Sequence, residues 1–150
     1  MFLDKTTEFS DSQAVTASAV STNVIDLNPS GANPTVDIGA GEPTTFVLQT
    51  DAAATAGGAA TVTVTLESDT TTDLSSGSTN VHMTLGPFTL AQMAAKQTLA
   101  RVRLPAGVYK RYLGVRFTVA TGPLTAGQFS AFIVKDAQAN AIYKSGFSVS

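Results

Sequence analysis

The chain has 150 residues, 43% of them hydrophobic, which is the size and composition of one soluble domain with its own core and too little for two. Nine basic against eleven acidic side chains leave a net charge of −2, so the basic surface of a nucleic-acid binder is missing and no nucleic-acid partner is expected. With no cysteine, a disulfide framework, a thiolate metal site and a cysteine nucleophile are excluded.

Met1-Phe2-Leu3 gives way to charge at Asp4 and Lys5, so the start lacks the apolar stretch of a signal peptide. No apolar run approaches the ~20 residues of a membrane span, and a protein made in the cytoplasm without a membrane partner is expected. Residues 1–13 read as an N-terminal arm in which Phe2, Leu3 and Phe9 are apolar anchors in a polar tail. Val20 to Leu27 reads as the first strand, ended by the proline- and glycine-containing segment 28–34. Thr45 to Gln49 is a strand with apolar residues on both faces, which marks it as central or as facing a partner.

The small residues of 51–60 suit a hairpin connection, and behind them Thr61 to Glu67 shows the clearest period-two alternation. Val62, Val64 and Leu66 share one face and threonines the other. Val81, Met83 and Leu85 alternate with His82 and Thr84, which places the histidine on a wet face. Leu90 to Lys96, behind Thr89 as a possible N-cap, reads as one or two helical turns in a connection. Ala100, Val102 and Leu104 alternate with Arg101 and Arg103, and Leu113, Val115, Phe117 and Val119 alternate with Tyr112, Gly114, Arg116 and Thr118. Phe129 to Val134 is again apolar on both faces, with Phe132 and Val134 opposite Phe129 and Ile133. Glycine- and proline-containing breakers separate these runs, a spacing that points to a sandwich or barrel. The fold expected is all-β: a jelly-roll-like antiparallel β-sandwich of about eight strands over residues 14–136, with flexible N- and C-terminal arms at 1–13 and 137–150.

Catalysis requires titratable groups gathered in a pocket, and the inventory is thin. His82 is the one histidine, no serine lies in a Gly-x-Ser-x-Gly elbow, and Gly39-Ala40-Gly41 is followed by a strand where a phosphate loop must open a helix. An enzyme is not expected, nor a cofactor or metal. Glu67, Asp69 and Asp73 could offer oxygen ligands to calcium, but their spacing does not match a calcium loop and a solvated acidic loop is the better reading. Tyr109 and Tyr112 flank Lys110 and Arg111 in a small aromatic and basic cluster of the kind that makes protein contacts, and Arg101, Arg103 and Arg116 are candidates to extend it.

Three stretches carry a family resemblance: AVTASAVSTNVIDL (14–27), IGAGEPTTFVLQTD (38–51) leading into AATVTVTLESD (59–69), and RYLGVRFTVATGPLTAGQFSAFIVKD (111–136). Together they resemble the capsid cement, or head decoration, proteins of short-tailed bacteriophages of the Bordetella phage type. The resemblance implies a structural virion protein on the outer capsid surface, assembled in the host cytoplasm. It implies the major capsid protein as partner and self-association as a homodimer or homotrimer. On that reading Phe2, Leu3 and Phe9 of the arm, with Phe132 and Val134, bury surface against the capsid or a sister subunit. A receptor- or glycan-binding jelly-roll module of a phage fibre is the alternative, and it would show an exposed aromatic platform or a bound calcium; a chain without tryptophan and with three tyrosines argues against it.

Overall fold

The alternation read from the sequence becomes two packed sheets. The structure, a computed structural model, describes residues 3–29 and 43–137. A 3-10 turn (Lys5–Thr7) precedes β1 (Glu8–Ala14), β2 (Ala19–Val20), β3 (Ile25–Asp26), β4 (Thr45–Ala56), β5 (Thr61–Asp69), β6 (Asn80–Thr89), β7 (Gln97–Arg103), β8 (Tyr112–Ala120) and β9 (Leu124–Val134). One sheet runs in the order β1-β9-β4-β7 and the other β2-β8-β5-β6, with β3 also paired to β8, and every pairing is antiparallel. The chain crosses between the sheets at every connection except those joining β2 to β3 and β5 to β6. That is jelly-roll connectivity.

The core lies between the sheets. Val62, Val64 and Leu66 of β5, Leu113, Val115 and Phe117 of β8, and Phe46 and Leu48 of β4 are all buried in one cluster with Phe129 and Ile133 of β9. Phe117 and Phe129 bridge the two sheets with ring centroids 5.6 Å apart. The Leu90 to Lys96 segment makes one turn, with the Met93 amide donating to the Thr89 carbonyl at 3.1 Å, and drives Met93, fully buried, into one end of the sandwich.

Three sequence expectations change. Residues 8–14, expected in the arm, form the edge strand β1, which pairs with β9 from Glu8 opposite Phe132 to Ala14 opposite Gln128. Its single large apolar residue, Phe9, is fully buried against Phe46, 6.1 Å between ring centroids. The segment Val20 to Leu27 is two short pieces rather than one strand, because the Ser21 side chain takes over half of the ladder: its amide still donates to the Val115 carbonyl at 2.7 Å, but its hydroxyl accepts from the Val115 amide at 3.0 Å and donates to the Asn23 carbonyl at 2.8 Å. In β6, a register shift against β5 between Leu66 and Glu67 breaks the period-two pattern, so Val81 is 56% exposed and His82 is half-buried, the reverse of the alternation. Phe2, Tyr143 and Phe147, and the turn Gly39-Ala40-Gly41, lie outside the described residues.

Candidate interaction surface

The antiparallel register sets the start of β1, the end of β5, the start of β6, the end of β7 and the start of β8 at one end of the sandwich. The loops there are built on polar hubs. Asp69, fully buried at the end of β5, accepts from the Thr70 amide at 2.6 Å, the Ser76 amide at 3.0 Å, the Thr79 hydroxyl at 2.7 Å and the Ser76 hydroxyl. Burial pushes its carboxyl up, and these donors outweigh that effect and hold it far below the ordinary carboxylate range. Glu67, also buried, accepts from Arg116 Nε at 3.0 Å, and Arg116 donates onward to the Leu74 carbonyl at 2.6 Å. The expected solvated acidic loop is therefore corrected at Glu67 and Asp69: their oxygens are spent closing the 70–79 loop over the outer face of β8. Among the described residues no three His, Asp or Glu side chains gather as a metal site would need.

The β7–β8 loop is held from both sides. Arg111 donates through Nε and Nη2 to the two oxygens of Asp26, each at 3.0 Å, which ties the loop to β3 and lowers the Asp26 carboxyl. The same guanidinium lies 4.9 Å from the centre of the Tyr112 ring. Tyr109 donates to the Pro105 carbonyl at 2.6 Å and stacks on His82, ring centroids 4.0 Å apart. The Lys110 amide donates to Ser68 Oγ at 2.9 Å, and Ser68 Oγ lies 2.7 Å from His82 Nε2. His82 is thus a structural link between β5, β6 and the loop; burial lowers its pKa.

The loop so fixed presents Val108 at its tip, 84% exposed. Leu3, before β1, is 45% exposed, and Val81 at the start of β6 is 56% exposed. Neither valine was singled out from the sequence. Val108 follows Pro105-Ala106-Gly107, and an apolar β-branched residue in such a turn was the available signal.

The residues expected to make contacts fall into two groups. Leu3 is exposed, and Tyr109 and Tyr112 are half-buried, with part of each side chain still open to solvent. Phe9 is in the core. Phe132 and Val134 are 3% and 4% exposed: they pack with Val47 in a small cluster on the outer face of the β1-β9-β4-β7 sheet, with Ala137 against it. As contacts with a capsid or a sister subunit these three are corrected, since the chain itself already buries them. Arg116 lies in the other sheet from Arg101 and Arg103 and is committed to Glu67, so it does not extend a common surface. Among the described residues no helix is long and apolar enough to cross a membrane.

The sequence pattern of the Bbp16 family matches residues 9–133, from the buried phenylalanine of β1 to the penultimate residue of β9. The chain belongs to the Bbp16 family. Comparison with curated proteins finds no match. Bbp16 proteins are capsid decoration or cement proteins of short-tailed phages, so this chain has a structural, capsid-associated role in the virion and is not an enzyme. The matched span contains all nine strands apart from single residues at the two outer ends, so Bbp16 membership and the jelly roll describe the same unit of chain.

Proposed function

We propose that this Bbp16 protein sits on the outside of the icosahedral head as a homodimer or homotrimer and clamps neighbouring major capsid protein subunits, with the end of the sandwich that carries Leu3, Val81, Val108, Tyr109 and Tyr112 turned toward its contacts. The observation that carries the reading is where the large hydrophobics exposed among the described residues fall: Leu3 before β1, Val81 at the start of β6, Val102 one residue from the end of β7 and Val108 in the β7–β8 loop all lie at this end. Keeping Val108 at 84% exposure on a loop braced by the Arg111–Asp26 pair and the Tyr109–His82 stack costs hydrophobic burial, and a partner that covers it recovers that burial. Many copies, each bridging a joint between subunits, hold a pressurised shell more firmly than any single modest contact, because linked contacts raise the effective concentration of one another.

The test is co-sedimentation of the purified protein with heads that lack it, counting copies per head at saturation. Saturation at a number commensurate with icosahedral positions is expected. Failure to bind heads, together with binding to host cells or glycans, moves the protein to the fibre-module class. Val108→Asp is expected to weaken head binding at least tenfold without changing the melting temperature.

A further inference from the structure

Within the head-binding reading, the free edge of β7 has a chemistry of its own. Among the described residues β7 pairs with β4 alone, which leaves one side of its backbone without a described partner strand. Elsewhere among the described residues Lys5 is engaged with Glu8, Arg111 with Asp26, Arg116 with Glu67, and Lys110 with the Ser78 carbonyl. Lys96, Arg101 and Arg103, on β7 or at its entry, are all exposed, and none has an acidic partner within 4.0 Å among the described residues. Arg101 stands opposite Val47 and Arg103 opposite Thr45, so both point to the outer face of the sheet, about 7 Å apart along the strand. Between them Val102, opposite Phe46, points to the core side and is 37% exposed because no further strand covers it.

We propose that the open edge of β7 receives an extended, acidic segment of the capsid subunit, added as a further strand of the β1-β9-β4-β7 sheet. The pleat dictates its pattern: a carboxylate beside Arg101, an apolar residue beside Val102, and a second carboxylate beside Arg103. A second copy of β7 is a poorer match, since antiparallel pairing centred on Val102 would bring Arg101 against Arg103 on both sides. Guarding an edge against stray pairing also uses charge, and the edge strand β1 carries Glu8 and Asp11, but β6, an edge of the other sheet, carries no Lys, Arg, Asp or Glu, so a charged edge is not uniform in this protein, and the two exposed arginines give β7 a sign that β1 lacks. A net charge of −2 and only three cations along the edge favour an acidic peptide over nucleic acid.

The proposal rests on the head-binding reading, and the two fail separately. Heads lacking the protein are titrated with the wild type, the double variant Arg101→Glu/Arg103→Glu, the double variant Arg101→Lys/Arg103→Lys, and Ala59→Glu as a charge change at an exposed position in the β4–β5 loop, at the opposite end of the sandwich. The expected result is at least a tenfold loss of affinity for the glutamate pair, with unchanged melting, less than threefold for the lysine pair and for Ala59→Glu, and wild-type binding that weakens as NaCl is raised. If the wild type saturates heads and the glutamate pair binds within twofold of it, the edge proposal is overturned and the head-binding reading stands. An equal loss with the lysine pair also overturns it, because the charge is then not what binds. A short DNA duplex that competes the wild type off heads makes the edge a general polyanion surface and overturns it too. No binding by the wild type removes the head-binding reading and the edge proposal together.

Discussion

Leu74, buried in the loop after β5, lies directly over Gly114 in the middle of β8: a Cβ placed on Gly114 would come within 2.9 Å of Leu74 Cδ1 and 3.2 Å of Val24 Cγ2. The missing side chain on β8 is the seat for the loop, and Arg116 fastens it by donating to the Leu74 carbonyl.

Gly114→Leu is therefore expected to expel Leu74 and cost about 1–3 kcal/mol, the range for overfilling a packed site. Urea denaturation gives the stability, and limited proteolysis reports whether cleavage moves to 70–79. Gly114→Ala adds a single methyl, whose tightest contact is the movable end of Leu74 with Val24 Cγ2 next, and should cost less. An unchanged urea midpoint for the leucine variant would mean that the loop is not seated on β8.

Phe9→Ala is expected to destabilise the fold by about 3–5 kcal/mol, as for other buried aromatic truncations, because Phe9 is fully buried against Phe46. Truncation through Phe9 should accordingly give a poorly folded chain, whereas removal of residues 1–3 should not. Thermal melting of the three proteins decides it; a Phe9→Ala variant that melts with the wild type would put the residue back in an arm.

This strand was hidden in the sequence for a physical reason. Glu8-Phe9-Ser10-Asp11-Ser12-Gln13-Ala14 has one large apolar side chain, so no alternation can be read, and two register shifts against β9 would have scrambled it in any case. β5 and β8, central and dry on one face, announce themselves through Val62-Val64-Leu66 and Leu113-Val115-Phe117. The double-faced pattern of Phe129 to Val134 was legible as a second buried face, but not that Val47 of the same chain would share it. Exposure of Val81 and Val108 depends on a bulge and on a loop braced by residues far away in sequence, which a local pattern does not encode.

Acid should loosen the loop end of the sandwich first. Asp69 and Asp26 have carboxyls lowered in the folded protein, Asp69 because its hydroxyl and amide donors outweigh burial, Asp26 chiefly by Arg111. A lowered folded pKa contributes stability that is present above the unfolded value, near 3.8, and is lost as pH falls below it toward the folded pKa. The wild type should therefore lose urea resistance steadily from about pH 4 downward. Asp69→Asn should be less stable at pH 7 and show a shallower loss over that window. A variant whose stability falls in parallel with the wild type would show that the Asp69 hydrogen bonds do not favour its ionised form.

His82, the one histidine of the chain, can be titrated without ambiguity by NMR. Its ring stacks on Tyr109, with Nε2 2.7 Å from the Oγ of the fully buried Ser68. Burial lowers the His82 pKa from its usual 6.5. Because the folded state resists a proton that the unfolded chain accepts, stability is complete above the unfolded pKa and declines as pH falls through about 6.5. The His82 resonance should titrate with a midpoint below 6.5, and His82→Phe, which keeps the stack on Tyr109 and removes the proton site, should flatten the decline between pH 7 and 5. A midpoint at or above 6.5 would mean that the ring is not buried against Tyr109 in solution, and the brace that holds Val108 outward would then rest on Arg111 and Asp26 alone.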